Sequence, residues 1–323
     1  RYLEKYYGKL GGNSMTTQDR LYATQMEKLA GRGPCYLDIS KVDPARLEGT
    51  TRAYLSMAPP AAMLLQDEAY YGRSGGKMAP VEICGGEPHV VGGHGMSGFW
   101  VDANRACSLP GLWAAGDVAG GAPKKYASGA WVEAVIAVRD MIQKAAGTKA
   151  PLLDEEGVLK ERDRVFAPLE YHPGVPPRDL EERLQKIMDE YAGGIGQHYG
   201  YSAGELNIAR LQLERLRQEL GSLQATDFHD LMLAHEVVDR VDVAETLVAH
   251  MAHREETRWR CYQQRLDFPE RDDARWMVFV NSVRESAGIR MIEREVIRSE
   301  VRLSLPTLSE GALIRGRRGR DQD

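Results

Sequence analysis

Cysteine is scarce in this 323-residue sequence, with four at Cys35, Cys84, Cys107 and Cys261. They are widely separated and none forms a CxxC pair. Neither an iron–sulfur cluster nor a structural zinc site is therefore encoded by them. Isolated thiols of this kind belong to a reducing compartment, so the expected location is cytoplasmic. Long apolar runs are missing too. No stretch approaches the roughly 18 consecutive apolar residues of a membrane span, which excludes a direct span. There is no basic excess either: 42 Lys and Arg stand against 47 Asp and Glu, for a net charge of -5. No basic stripe runs along the body, which argues against a nucleic-acid partner. The basic run at Arg315, Arg317, Arg318 and Arg320 lies at the extreme end and reads as a solvated tail. The opening residues 1–10 are charged and aromatic and do not form a signal peptide. The sequence begins with Arg in what reads as the middle of a structured region, so the expectation is a fragment or processed piece.

Hydrophobic residues make up 43% and charged residues 28%, enough apolar material for a packed core. Three textures follow one another. Residues 1–80 open with a helix from Asp19 to Ala30, stopped by Gly31 to Pro34, and then a strand at 35–39. The rest of that stretch is poorly periodic. Residues 81–150 are dense in glycine, with strand-like pieces at 98–101 and 112–115. A helix follows from Ala130 to Lys144, with Val132, Val135, Ile136, Val138 and Met141 on its apolar side. Pro173, Pro176 and Pro177 read as a linker into residues 173–323. That region predicts long helices over 180–191, 203–220 and 225–253. In the middle one Leu206, Ile208, Leu211, Leu213, Leu216 and Leu220 supply a packing face. Around 290–305 the pattern predicts extended strands or a short hairpin.

The chemistry concentrates in two linked stretches, residues 92–102 (GGHGMSGFWVD) and 109–117 (LPGLWAAGD). In the second, a hydrophobic strand ends at Gly116-Asp117 and a glycine-rich turn leads into a helix. A carboxylate at the end of a strand suits hydrogen bonding to a polyol or ribose. The helix N-terminus beyond it offers free N–H groups to an electron-rich ligand. Glycine allows close approach of backbone to a flat cofactor. On these grounds alone, a nucleotide site and an ordinary strand–helix turn both remain open.

The pattern is more specific than that. Residues 110–117 (PGLWAAGD) resemble the last FAD-contacting strand of the fumarate reductase/succinate dehydrogenase flavoprotein family. Residues 125–131 (KYASGAW) resemble the helix start that caps the flavin ring. The His-containing turn at residues 94–101 (HGMSGFWV), with residues 125–129 (KYASG), is most similar to the adenylylsulfate reductase branch of that family. A second resemblance lies at residues 253–259 (HREETRW), 267–273 (DFPERDD) and Trp276, which are similar to the family's C-terminal helical domain.

The resemblance implies an α/β flavoprotein piece, comprising part of a Rossmann-like FAD-binding domain and a capping domain, followed by a mainly α-helical C-terminal domain. It implies three parts: residues 1–80 as the remnant of the capping, substrate-binding domain; 81–150 as the C-terminal part of the FAD-binding domain; and 173–323 as the helical domain. FAD is the implied cofactor, in contact with Gly93, Gly95, Gly116, Asp117, Ser128, Gly129, Ala130 and Trp131. His94 and Arg20 are the implied catalytic residues, set to bind a small anionic substrate and to stabilise charge or move a proton. Arg20 is placed as in the adenylylsulfate branch, on the helix before the turn at residues 31–34. Arg254, Arg258 and Arg265 with Glu255, Asp272 and Asp273 are expected to form structural ion pairs tying the helical domain to the flavin domain.

The implied activity is that of a FAD-dependent oxidoreductase subunit acting on adenylylsulfate, AMP and sulfite. Electrons would come from a ferredoxin-like iron–sulfur subunit. Fumarate/succinate chemistry is the alternative, and residues 121–128 (GAPKKYAS) bear on it: they are shorter than the fumarate reductase stretch and offer Lys124 and Lys125 where that stretch clamps the dicarboxylate with arginine. A non-catalytic helical interaction module on a degenerate flavin fold is the reading from another class. No Gly-x-Gly-x-x-Gly fingerprint for the FAD pyrophosphate appears at a strand–helix junction in the sequence. The chain as given is therefore expected to bind FAD weakly and to be inactive alone.

Overall fold

The computed structural model describes residues 17–37, 43–57, 81–83, 97–120, 127–149, 152–170, 173–258 and 264–296. Helix α1 (Thr17–Leu29) is followed by strand β1 (Cys35–Leu37) and helix α2 (Pro44–Met57). The start of α2 was legible in the sequence and escaped the periodicity reading. Pro44 presets the first helical φ, and the Asp43 carboxylate accepts the backbone N–H of Ala45 at 2.8 Å. Strand β2 (Val81–Ile83) pairs antiparallel with β1. Helix α3 (Ala127–Ala145) follows the glycine-rich stretch, and α4 (Glu155–Glu170) precedes the proline linker. The sequence reading left α4 out. Its signals are a capping Asp154, which accepts from Gly157 N–H at 3.0 Å, and the acidic first turn at Glu155 and Glu156.

The large-residue core is built from α5 (Pro177–Tyr191), α6 (Ala203–Glu219) and α7 (Phe228–His253). Leu180 and Leu184 of α5 face Leu206, Ala209, Leu213 and Leu216 of α6. Helix α7 brings Leu231, Ala234, Val237, Val241, Ala244, Val248 and Met251, spaced by three and four residues along one face. Ile208 and Leu211, expected on the packing face of α6, are each 41% exposed. They lie off the 206–209–213–216 stripe, so the helix cannot bury both sets at once. The start of α6 is fixed by a reciprocal cap: Ser202 N–H donates to Glu205 at 2.6 Å, and Glu205 N–H donates back to the Ser202 hydroxyl.

The chain then folds back on α7. Strand β3 (Gly200–Tyr201) pairs parallel with β4 (Gln264–Arg265), and the short helix α8 (Asp273–Trp276) leads into a hairpin of β5 (Val278–Glu285) and β6 (Gly288–Glu295). Strand β6 overlaps the start of the stretch 290–305 where the sequence pattern placed extended structure, and residues 297–305 lie outside the described residues. Arg265 is 2% exposed and donates from one nitrogen to the carbonyls of Met251, Ala252 and Arg254. A buried cation thus satisfies the unpaired carbonyls at the C-terminus of α7, where the helix dipole favours positive charge. Tyr201, over which Arg265 sits, is buried, and burial pushes its hydroxyl up to about 12.

Two α7 histidines hold the hairpin. His250 meets the Ser282 hydroxyl at 2.9 Å, and His253 meets Glu293 at 2.9 Å. Burial, with the nearby charges of His253 and Arg254, holds the His250 imidazole below its ordinary value. Hydrogen bonds from Arg275 and His253 hold the Glu293 carboxyl down at about 2. Both folded values are depressed, so both contributions are present above the unfolded values of 6.5 and 4.5 and fade as pH falls through the folded ones. The hairpin should therefore loosen in two stages, one below pH 6.5 and one between 4.5 and about 2. Trp276, edge-on to His253 at 5.6 Å, reports this in fluorescence. His250→Asn should remove the first stage, and its survival in that variant would assign it elsewhere.

Candidate functional site

The glycine-rich stretch folds around one crossing of the chain. Phe99 bridges Ala119 in parallel, Val101 bridges Cys107, and Ala106 bridges Trp113. Asp102 closes the turn between them by accepting the N–H groups of Asn104 and Ala106 at 2.8 and 2.9 Å. Gly98 has φ +146, and a Cβ there would come within 2.5 Å of the Val118 carbonyl oxygen. Only glycine lets the two segments lie this close. Two hydrogen bonds lock the contact, Phe99 N–H to Val118 at 2.7 Å and Gly120 N–H to Phe99 at 2.8 Å.

Gly116 and Asp117 open a short 3-10 turn (Gly116–Val118) at the end of this crossing. Gly116 is buried with φ +74, and its N–H donates to the Glu133 carboxylate of α3 at 2.9 Å. Glu133 is itself 5% exposed. A buried carboxylate on the helix thus sets the backbone of the turn, while Asp117 stays on the exposed side. The sequence reading missed Glu133. Its signal is an acidic residue on the helix stripe of Glu133, Ala137, Asp140 and Lys144, spaced by four, three and four. Asp140 accepts the Trp113 indole N–H at 2.7 Å and pairs with Lys144 at 2.8 Å. Those two partners hold its carboxyl below the usual range.

Helix α3 is therefore amphipathic in an unusual sense. Its polar stripe faces the crossing, and the opposite stripe of Trp131, Val135, Val138 and Ile142 is exposed, Trp131 by 73% and Ile142 by 65%. Among the described residues of this region, the buried hydrophobics are all alanines: Ala114, Ala119 and Ala137. Of the apolar side that the sequence predicts for α3, Val132, Val135 and Val138 are exposed and Ile136 and Met141 are half-buried, so it is not packed into this core.

Of the residues singled out from the sequence, the structure brings together Gly116, Asp117, Ser128, Gly129, Ala130 and Trp131. A Cβ on Gly116 would sit 3.3 Å from that of Ala130, so the turn and the first turn of α3 are in van der Waals contact. Ser128 is exposed at the start of α3, where first-turn N–H groups have no partner within the helix. Gly93, His94 and Gly95 lie outside the described residues. Arg20 lies in the first turn of α1, one turn before the buried Ala23 and Thr24. The arginine of the Gly-Arg-Gly turn is engaged locally, since Arg32 makes two hydrogen bonds, at 2.9 and 2.8 Å, to the buried Glu27.

The second motif folds into an ion-pair cluster. Its central carboxylate is Glu256, whose side chain is fully buried, and not Glu255, which is exposed. Glu256 accepts from Arg254 at 2.7 Å, from Arg258 at 2.7 and 2.9 Å and from Asp272 N–H at 3.0 Å. Arg258 also pairs with Asp273 at 2.8 Å, and Arg265 with Asp267 at 2.8 Å. These pairs link the end of α7 to the segment 265–273 at the start of α8, and none of them reaches the described residues of 81–150. Among the described residues no group of three or more His, Cys, Asp or Glu could hold a metal ion. None of their helices is long and apolar enough to cross a membrane.

Residues 181–307 match the family model described as fumarate reductase flavoprotein C-term. This chain is similar to the fumarate reductase and adenylylsulfate reductase flavoproteins. Against adenylylsulfate reductase subunit alpha of Megalodesulfovibrio gigas it is 26% identical over 334 residues, covering 87% of this chain and 48% of that one. The solved adenylylsulfate reductase of Archaeoglobus fulgidus superposes with a TM-score of 0.77 at 29% identity, covering 92% of this chain and 53% of that one. An E. coli quinol-fumarate reductase shares the fold, with a TM-score of 0.64 at 20% identity over 92% of this chain and 53% of its own. The chain thus spans about half the length of the relatives it matches. The C-terminal helical fold and the flavoprotein likeness expected from the sequence are both supported by these matches.

The described residues fit the flavin that the resemblance implies. Asp117 offers a carboxylate on the exposed side of a turn that Gly116 and Glu133 hold fixed, and the first turn of α3 lies against that turn. Such a carboxylate can accept hydroxyl hydrogen bonds, and the helix start can face an electron-rich ring edge.

Proposed function

We propose that this chain is the flavin-edge and C-terminal part of a FAD-dependent oxidoreductase subunit of the adenylylsulfate reductase type, interconverting adenylylsulfate with AMP and sulfite. The observation that carries the proposal is the Gly116–Asp117 turn, fixed by Glu133 against the start of α3, in a chain 29% identical to a solved adenylylsulfate reductase. Asp117 would bind the flavin's hydroxylated chain, with Gly93, Gly95, Ser128, Gly129, Ala130 and Trp131 around its ring. Bound FAD would supply two-electron transfer at its ring nitrogen. His94 and Arg20 would orient the anionic substrate and stabilise its developing negative charge. An iron–sulfur partner subunit would deliver the electrons, because the four scattered cysteines give this chain no cluster ligands. In this reading residues 1–80, 81–150 and 173–323 are capping-domain, FAD-domain and helical-domain parts.

The test uses the longest reading frame that contains this chain. Dye-coupled sulfite oxidation should depend on AMP and fall by on the order of a hundredfold or more in His94→Ala, as loss of a general acid–base group does. Fumarate reduction, run beside it, should be absent. Fumarate turnover without AMP-dependent sulfite oxidation would reject the sulfur substrate and direct attention to Lys124 and Lys125.

A further inference from the structure

The β5–β6 hairpin reaches the flavin-edge crossing through one side chain. The Arg294 guanidinium lies 4.0 Å from the Trp100 ring centroid and 5.6 Å from that of Phe279, so both aromatic residues contact one cation. Phe279 is the cross-strand partner of Arg294 in the hairpin register. Arg294 Nε donates to the Asn281 side chain at 2.8 Å, which fixes the orientation of the planar guanidinium. The hairpin is anchored independently on α7 and α8. His250 meets Ser282, Glu293 takes Arg275 at 2.7 Å and His253, and Arg254 donates to the Val278 carbonyl at 3.1 Å. Trp100 follows directly on Phe99, whose two backbone bonds to Val118 and Gly120 sit just past Asp117. Mechanical connection therefore runs from the C-terminal bundle, through Arg294 and Trp100, to the Gly116–Asp117 turn.

We infer that Arg294 is a positioning residue: by stacking on Trp100 it clamps the Phe99–Ala119 crossing and so holds the Asp117 turn in place from the C-terminal hairpin. Arginine suits this role better than lysine. Its flat guanidinium can stack on an indole while an edge nitrogen is hydrogen-bonded, which an ammonium on a flexible stem does less well. The stack leaves Trp100 45% exposed, which is acceptable for a cation held at the surface of a contact. The inference about catalysis rests on the proposed flavin reading; the clamp itself does not.

The experiment separates the two. In the 323-residue chain, amide hydrogen exchange is followed at Phe99 and Gly120, with Val237 and Val241 of the α7 core as controls. Arg294→Gln should speed exchange at Phe99 and Gly120 roughly three- to thirtyfold and leave the controls unchanged, and Arg294→Lys should fall between. Unchanged exchange at both amides overturns the clamp. In the longer polypeptide compared at equal flavin occupancy, Arg294→Gln should lower kcat/KM about tenfold, with partial recovery in Arg294→Lys. Faster exchange with unchanged kcat/KM overturns the positioning role. A wild type without turnover defeats the proposed reaction instead, and the exchange result then still decides the clamp.

Discussion

Replacing Glu256 by Ala should destabilise the C-terminal part of the chain by about 3 to 5 kcal/mol, the range for removing one partner from a buried ion pair. Glu256 is fully buried and joins Arg254, Arg258 and the Asp272 N–H in one cluster. Its loss leaves two part-buried guanidinium groups sharing fewer acceptors. Arg254 keeps the carbonyls of Trp276 and Val278, and Arg258 keeps Asp273. These residual partners place the cost within that range rather than above it. Glu256→Gln retains an acceptor but loses the charge, and should fall between the variant and wild type. Urea unfolding followed by far-ultraviolet circular dichroism measures the effect. A shift below about 1 kcal/mol would mean that the cluster is no more than a surface network.

The second large effect is expected at Glu133, and it concerns the cofactor more than the fold. Glu133→Ala leaves the buried Gly116 N–H without its acceptor and frees the turn that carries Asp117. A hydrogen bond to a charged group contributes about 1.5 to 3 kcal/mol. If the turn must hold one geometry for flavin to bind, affinity should fall by on the order of ten- to a hundredfold. Glu133→Gln, which still offers an acceptor of the same reach, should recover most of it. The measurement is equilibrium flavin titration of the longer polypeptide, with both variants checked for an unchanged unfolding midpoint of the α5–α7 bundle. Full affinity in Glu133→Ala would show that the turn holds its shape without the carboxylate. The chain of 323 residues by itself is expected to bind FAD weakly; tight stoichiometric binding by it would refute that.

The exposed stripe of α3 bears on the same point. Trp131, Val135, Val138 and Ile142 form a face long enough to pack against another element, yet the helix spends its polar stripe on the crossing. An apolar stripe left outward is ordinary for a helix with a further packing partner. The relatives are about twice as long as the matched region.

Much of this architecture was legible in the residues. The helices α5, α6 and α7 follow from apolar residues at spacings of three and four and from capping by Ser202 and Asp227. The end of α1 follows from its glycines, and Gly116-Asp117 marks the turn before α3. These are local signals, written within a few residues of where they act. What the sequence could not settle were choices between faces and between partners distant along the chain. Periodicity identified the apolar side of α3 but not that Glu133 and Asp140 would turn inward, because that depends on a Gly116 N–H and a Trp113 indole from another segment. The motif of residues 253–259 showed an ion-pair cluster, and only packing selected Glu256 over the adjacent Glu255 as its buried member. Arg294 carries no local mark at all: its place against Trp100 exists only because the hairpin folds back over α7. Local chain geometry fixed the elements; desolvation and the pairing of buried polar groups, which need the tertiary structure, decided which side chains work together.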